Sequence, residues 1–223
     1  MQKKICIAID GPAAAGKSTI AKKLAEKLDY IYIDTGAMYR AVTYAALQQG
    51  VDLSDEEAVF AILKQSKLEL KHIAGVQKVF LNEKDISTEI RSPEVTHFVS
   101  QVASYLSVRE RLVDLQRELG RNGGVVMDGR DIGSTVLPFA EIKIFMIASV
   151  QERAQRRHLE NIEKGFASNL REIEKEIEKR DWLDSTREHS PLCPCLDSIK
   201  VDTTGKTPDE VLHEIYQIVI SKD

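Results

Sequence analysis

Cysteine is scarce in this chain, positive charge is not in excess, and long apolar runs are missing. Three cysteines among 223 residues exclude a disulfide framework as the source of stability. A formal charge of −4 supplies no global basic field to attract nucleic acid or an anionic membrane. The first apolar run, residues 5–9, is too short for the core of a signal peptide, and nothing later approaches a membrane span. The expectation is a soluble, cytoplasmic protein with neither nucleic acid nor membrane as partner. With 43% hydrophobic residues, the chain can bury one sizeable core.

Five stretches have the length and apolar character of buried strands: 4–10 (KICIAID), 30–36 (YIYIDTG), 124–129 (GVVMDG), 142–149 (IKIFMIAS) and 198–204 (SIKVDTT). Helical patterns separate them. After the first, Ile20, Leu24 and Leu28 fall four apart, with Ala21 and Ala25 beside them, which makes one apolar face. Such alternation predicts an α/β fold, with a five-stranded parallel sheet and helices on both faces. Ser54 with Glu57, and Thr207-Pro208 with Glu210, read as capping boxes; Ser92-Pro93 reads as an N-cap followed by a proline at the first helical position.

One segment breaks the alternation. Residues 67–87 alternate apolar and polar side chains about Ala74-Gly75, which predicts a small antiparallel β insert. It is either a surface decoration or a lobe beside a ligand. Further on, 150–165 and 168–182 read as two helices joined at Gly165-Phe166, a short helical lid. Cys6 reads as a small core residue, and Trp182 as packing for the lid helix. Cys193 and Cys195 lack the spacing and companions of a zinc site.

Between the first strand and the first helix stands Gly11-x-x-x-x-Gly16-Lys17-Ser18, the P-loop pattern with both flanks correct. Glycines let the main chain curl so that its N–H groups converge on phosphate oxygens, and the helix adds its N-terminal dipole. Gly11, Pro12, Ala13, Ala14, Ala15, Gly16, Lys17, Ser18 and Thr19 are therefore the candidate nucleotide loop. Lys17 supplies a cation to the β- and γ-phosphates, and the Ser18 hydroxyl suits Mg²⁺. The Asn-Lys-x-Asp signature of a guanine site does not occur; the nearest text, NEKD at 82–85, has the wrong order. ATP is the expected co-substrate, with Mg²⁺.

A P-loop alone does not separate kinases from motors or switches. The remaining charged groups narrow the choice, because many stand where strands end, which is where open parallel sheets bind ligands. Asp34 and Arg40 follow the second strand; Asp128, Arg130 and Asp131 follow the third. Ser100 and Arg109 lie in the helical stretch between, and Arg180, Asp184 and Arg187 lie in the segment 179–192. One Arg–Asp pair is ordinary ion pairing, whereas four arginines beside a P-loop suit an anionic acceptor, since guanidinium forks bind phosphate bidentately. A phosphate-monoester acceptor is already largely a dianion at neutral pH, its second pKa being about 6. It needs neutralising cations rather than a base.

IDGPAAAGKST, DTGAMYRA, MDGRDIG and RDWLDSTREHSPL, in this order and spacing, resemble the bacterial cytidylate kinases, a family of nucleoside monophosphate kinases, over nearly the full length. The β insert is also similar to theirs. The resemblance implies the P-loop NTPase fold in one kinase domain, 1–223: core 1–64, 92–150 and 184–223, insert about 65–91, lid about 151–183. It implies transfer of the ATP γ-phosphoryl group to CMP or dCMP by a monomer. Lys17, Arg130, Arg180 and Arg187 would be catalytic. Asp34, Arg40, Ser100, Arg109, Arg130, Asp131, Arg180, Asp184 and Arg187 would bind the acceptor, Arg157 would meet ATP, and Ser18 with Asp128 would hold the metal. Thr35 stands where serine is frequent in the family. Two other readings remain open: a kinase for a small hydroxyl metabolite of the shikimate type, with Asp34 or Asp131 acting on the hydroxyl, and a nucleotide-dependent switch.

Overall fold

The computed structural model describes residues 4–163 and 165–221. In chain order its first elements are β1 (Cys6–Asp10), α1 (Lys17–Leu28), β2 (Ile31–Asp34), α2 (Gly36–Gln48) and α3 (Glu56–Gln65). Next come β3 (Leu68–Ile73), β4 (Val76–Leu81), β5 (Lys84–Asp85), α4 (Pro93–Val102) and α5 (Leu106–Gly120). The last are β6 (Val125–Gly129), β7 (Ile142–Ile147), α6 (Val150–Glu163), α7 (Leu170–Thr186), β8 (Ile199–Asp202) and α8 (Pro208–Ile220). They form two compact units: one takes the residues up to Tyr32 and those from Asn122 onward, the other is Ile33–Arg121.

The first unit is built on a five-stranded parallel sheet in the order β2-β6-β1-β7-β8. β1 is central: Ile7 pairs with Val126 on one side and Ile142 on the other. Its residues Ile7, Ala8 and Ile9 are fully buried, as a strand covered on both faces requires. Ile20, Ala21, Leu24 and Ala25 of α1, with Val211, Ile215 and Val219 of α8, close over Ile7, Ile9, Ile142, Ile144 and Met146 to make the main core. The expected 3.6-residue apolar face of α1 is thus the buried one. A smaller apolar cluster joins Ala154 of α6 to Ile173 and Ile177 of α7, with Ala14 packed against it.

The second unit has its own core. Met38, Tyr39, Val42 and Ala46 of α2 pack with Val59 and Leu63 of α3, Val99 and Val102 of α4, and Val108 and Leu112 of α5. The three-stranded antiparallel sheet β3-β4-β5 lies against α2 through Val79, Ile86 and Ile90, which meet Ala37 and Ala41. Its β3–β4 hairpin turns at Ala74 and Gly75, both with positive φ, where the alternation placed it; the short third strand is an addition to that expectation.

Other boundaries moved for identifiable reasons. The second strand ends at Asp34 because α2 already starts at Gly36. The cap of α3 is Asp55, whose Oδ1 accepts from Ala58 N at 3.0 Å, and not Ser54. Ser54 is captured instead by Asp52, donating from Oγ at 2.8 Å, a local side-chain bond that removes it from the helix start. The expected caps at Ser92 and Thr207 are present, the latter as a full capping box with Glu210. The second lid helix runs four residues beyond 182, to Thr186, and Trp182 on it is 64% exposed, so it does not pack the lid. Among the described residues no helix is long and apolar enough to cross a membrane.

Thr207 carries the start of α8, which closes the main core. Replacing it with alanine removes the side-chain half of the box, the Oγ1 that accepts from Glu210 N, and should cost about 1 kcal/mol, read as a lower urea midpoint with an unchanged slope.

Candidate active site

The loop at residues 11–16 leaves β1 and enters α1, and its shape rests on conformations that side chains resist. Gly11 has φ +145°, and a Cβ there would lie 2.1 Å from the Met146 carbonyl oxygen. Gly16, with φ +89°, is the residue before the first helical turn. Ala14 holds a left-handed conformation at φ 59° despite its Cβ, a cost on the order of 1–2 kcal/mol that surrounding packing must offset. Arg153 on α6 supports the loop from behind: its Nη1 donates to the Ala13 carbonyl at 3.2 Å. Thr203, just past β8, does likewise from its hydroxyl to the Ala15 carbonyl at 3.2 Å. Arg156 in turn donates to the Thr203 carbonyl at 2.6 Å.

Lys17 is buried, and its Nζ donates to the Pro12 carbonyl at 2.7 Å, folded back over the loop it belongs to. Burial, joined by the Arg130 charge, pushes its pKa down to about 7; Asp128 and Asp10 pull the other way without prevailing. Beside it, Ser18 Oγ donates to Asp128 Oδ2 at 2.8 Å. Tyr32 donates its phenol to Asp128 Oδ1 at 2.8 Å, so this carboxylate is held at both oxygens. A hydroxyl and a carboxylate oxygen side by side at the phosphate loop are the hard donors Mg²⁺ takes. This ion keeps waters and substrate oxygens as its other ligands. The residues fit it, and among the described residues no group of three or more His, Cys, Asp or Glu forms a self-sufficient metal cage.

Five candidate acceptor groups converge in the same unit. Arg130 Nε donates to Asp184 Oδ2 at 2.8 Å. Arg187 Nη2 approaches Asp131 Oδ1 at 3.4 Å, with both side chains almost wholly buried. Arg180 shares the cluster: removal from water, with Arg130 adding to it, lowers its pKa to about 10. Burial would weaken Arg130 in the same way, but Asp184 and then Asp128 outweigh it and raise its pKa. Asp184 is the mirror case, since burial favours its protonated form while Arg130 and Arg180 hold it well below the usual carboxylate range. Arg157, the expected ATP contact, is half-buried, 3.8 Å from Glu160, and its charge adds to the lowering of the Arg180 pKa.

The turn that carries Arg130 and Asp131 is fixed by a residue absent from the candidate set. Asp10, the last residue of β1, accepts from Ile132 N at 2.7 Å and Gly133 N at 2.8 Å. Burial raises its pKa to about 6 although those two N–H groups oppose the shift.

In the second unit, Asp34 is buried and its Oδ1 accepts from Ala37 N at 3.0 Å. Arg91 forms an ion pair with its Oδ2. Burial pushes the Asp34 carboxyl up, but the Arg91 charge and hydrogen bond, Ala37 N–H and Arg40 together hold it below its ordinary value. Gln77 of β4 grips the main chain of Asp34 twice, accepting from its N–H at 2.8 Å and donating to its carbonyl at 3.4 Å. Arg40 Nη1 donates to Thr96 Oγ1 at 2.7 Å. Arg109 is buried, donates to the Ala103 carbonyl at 3.0 Å, and sets its guanidinium 5.7 Å from the centre of the Tyr39 ring. Ser100 is buried on α4. Arg91, Gln77, Tyr32 and Asp10 were missing from the sequence-based set because their roles arise from partners 25 or more residues away. Only Asp10, adjoining the P-loop glycine, had a positional hint.

A strained glycine-walled loop, a buried lysine at the helix start and a guanidinium cluster define a P-loop phosphotransferase. The fold is similar to that of a shikimate kinase from Acinetobacter baumannii solved with shikimate, at a TM-score of 0.51 and 15% identity over 100% of this chain and 96% of that one. The family model described as cytidylate kinase matches residues 7–221. The cytidylate kinase of Bacillus anthracis is 58% identical over 220 residues, 99% of this chain and 98% of that protein. That of Bacillus cereus is 58% identical over 219 residues, 98% and 97% of the two chains. The chain belongs to the cytidylate kinase family.

Burial lowers the Lys17 pKa to about 7, so a polyphosphate placed beside its ammonium would restore the charged form and take up a proton. At pH 8, binding of ATP should therefore take up about one proton, seen as calorimetric enthalpies that differ between Tris and HEPES. Affinity should fall as pH rises above 7. The Lys17→Arg variant should show neither effect.

Proposed function

We infer that this protein is an ATP:CMP phosphotransferase, converting CMP and dCMP to the diphosphates with release of ADP, as a monomer in the cytoplasm. The observation that carries the reading is the guanidinium cluster of Arg130, Arg180 and Arg187, set beside a P-loop in a chain of this family.

Two polyanions must meet in line, and their mutual repulsion is the main obstacle. Main-chain N–H groups of residues 11–16 and the Lys17 ammonium hold the ATP β- and γ-phosphates; Lys17 exchanges its Pro12 carbonyl for phosphate oxygen. Arg130, Arg180 and Arg187 surround the transferring group, where charge spreads over its equatorial oxygens, and in a site of low water content they act strongly. Their carboxylate partners keep them charged and aimed before substrate arrives. The family resemblance assigns Asp34, Arg40, Ser100, Arg109, Asp131 and Asp184 each to the acceptor nucleotide, Asp184 to its ribose, and Arg157 to ATP. The CMP phosphate is already the nucleophile, so no side chain need remove a proton. Ser18 and Asp128, the latter steadied by Tyr32, would hold Mg²⁺, which when bound draws charge from the β- and γ-phosphates. α6 and α7 form the lid that excludes water from the transfer.

A hydroxyl acceptor is the weaker reading. It needs a carboxylate ready to take a proton, whereas Asp34 is engaged with Arg91 and held below its ordinary pKa, and Asp131 is paired with Arg187.

Coupled ADP release over an acceptor panel tests the assignment: CMP and dCMP should react well, UMP poorly, shikimate not at all. Failure of both cytidine nucleotides with ATP would overturn it. Arg130→Ala should lower turnover by about 10²–10³-fold while ATP affinity changes little. A matching loss of ATP binding would move Arg130 to the other substrate.

A further inference from the structure

Arg153, in the first unit, makes four hydrogen bonds from its guanidinium. It is 3% exposed and sits on α6. Its Nε donates to the Ala148 carbonyl beyond β7 at 3.0 Å. Its Nη1 serves both the Ala13 carbonyl of the ATP loop at 3.2 Å and Asp181 Oδ1 at 3.0 Å, and its Nη2 serves Asp181 Oδ2 at 2.6 Å. One side chain thus ties the end of β7, the phosphate loop and α7 together. Its link to α7 is a forked, two-bond pair, the geometry that fixes orientation as well as distance.

What α7 carries gives that link its meaning. Arg180 and Asp184 lie four apart and share a face, the one turned to Arg130. Asp181, one residue from Arg180, takes the neighbouring flank and faces Arg153. It is also close enough to raise the basicity of both Arg180 and Arg130. Nearer its start, α7 meets α6 in a small apolar cluster around Ile173 and Ile177, which also receives Ala14 of the loop. Directional polar bonds fix the rotation of a helix more closely than apolar contact does, and α7 has two such attachments: Asp184 to Arg130 and, at the level of Arg180, the forked pair of Asp181 with Arg153.

We propose that Asp181 is a positioning residue for phosphoryl transfer: by engaging Arg153 it locks α7 to the ATP loop and sets where the Arg180 guanidinium stands. Asp181 touches neither substrate. The proposal rests on the assignment of Arg180 to the transferring phosphate. Its side chain is 27% exposed, so replacing it does not open a hole in the core.

Steady-state kinetics with ATP and CMP on Asp181→Asn, Asp181→Glu, Arg180→Ala and the Asp181→Asn/Arg180→Ala double variant form the test, with ATP binding followed by fluorescence of a labelled analogue. Asp181→Asn should lower kcat about 10–100-fold with ATP affinity changed less than about 3-fold, and Asp181→Glu, which keeps the charge, should recover most of the loss. The double variant should be no slower than Arg180→Ala, because one residue acts through the other. If Arg180→Ala is crippled while Asp181→Asn keeps kcat within about twofold, or if the two losses add, the positioning role is wrong and the kinase assignment stands. If Arg180→Ala itself turns over normally, the role given to Arg180 fails and this inference falls with it.

Discussion

Like charges repel most strongly where water is scarce, and this molecule gathers Lys17, Arg130, Arg180 and Arg187 into one such region. The loss of water alone pulls the pKa values of Lys17, Arg130 and Arg180 down. Asp128, Asp181 and Asp184 restore part of the balance, unequally: Arg130 ends above its ordinary value, Arg180 ends near 10, and Lys17 ends near 7. The arrangement is stable as a set and weak in its parts, since removing one carboxylate leaves a buried cation unpaired. A polyphosphate entering the cluster would supply negative charge to these cations.

The frame around the cluster follows from that need. Each carboxylate is itself pinned: Asp128 by a serine and a tyrosine, Asp184 by Arg130, Asp131 by Arg187. The turn carrying Arg130 and Asp131 hangs on Asp10, whose own burial costs enough to lift its pKa to about 6. The buried hydrogen bonds around the loop convert strain at Gly11 and Ala14 into a fixed phosphate cradle. Chemistry at the reacting atoms needs little beyond this.

Much of this was legible in the sequence wherever the determinant is local. The P-loop spacing, the five apolar stretches, the apolar face of α1, the hairpin about Ala74-Gly75 and the capping box at Thr207 each sit within a dozen residues of text. Reading failed where a nearby rival existed or the partner was remote. Asp52 diverts Ser54, so Asp55 caps α3. The alternation at 67–87 reads as a single hairpin and does not announce that Lys84 and Asp85 within it form a third strand, and Trp182 reads as packing only until its exposed flank of α7 is known. Ion-pair partners are the extreme case: no spacing rule links position 153 to 181, or 34 to 91.

The hold of Gln77 on residue 34 has a different bearing. It takes hold of peptide atoms, an N–H and a carbonyl, which every residue except proline possesses. The anchor is therefore indifferent to the side chain it presents. An evolving or engineered chain can exchange the acidic group at that position for another chemistry without first rebuilding the hairpin, so scaffold and selectivity are free to change on separate schedules.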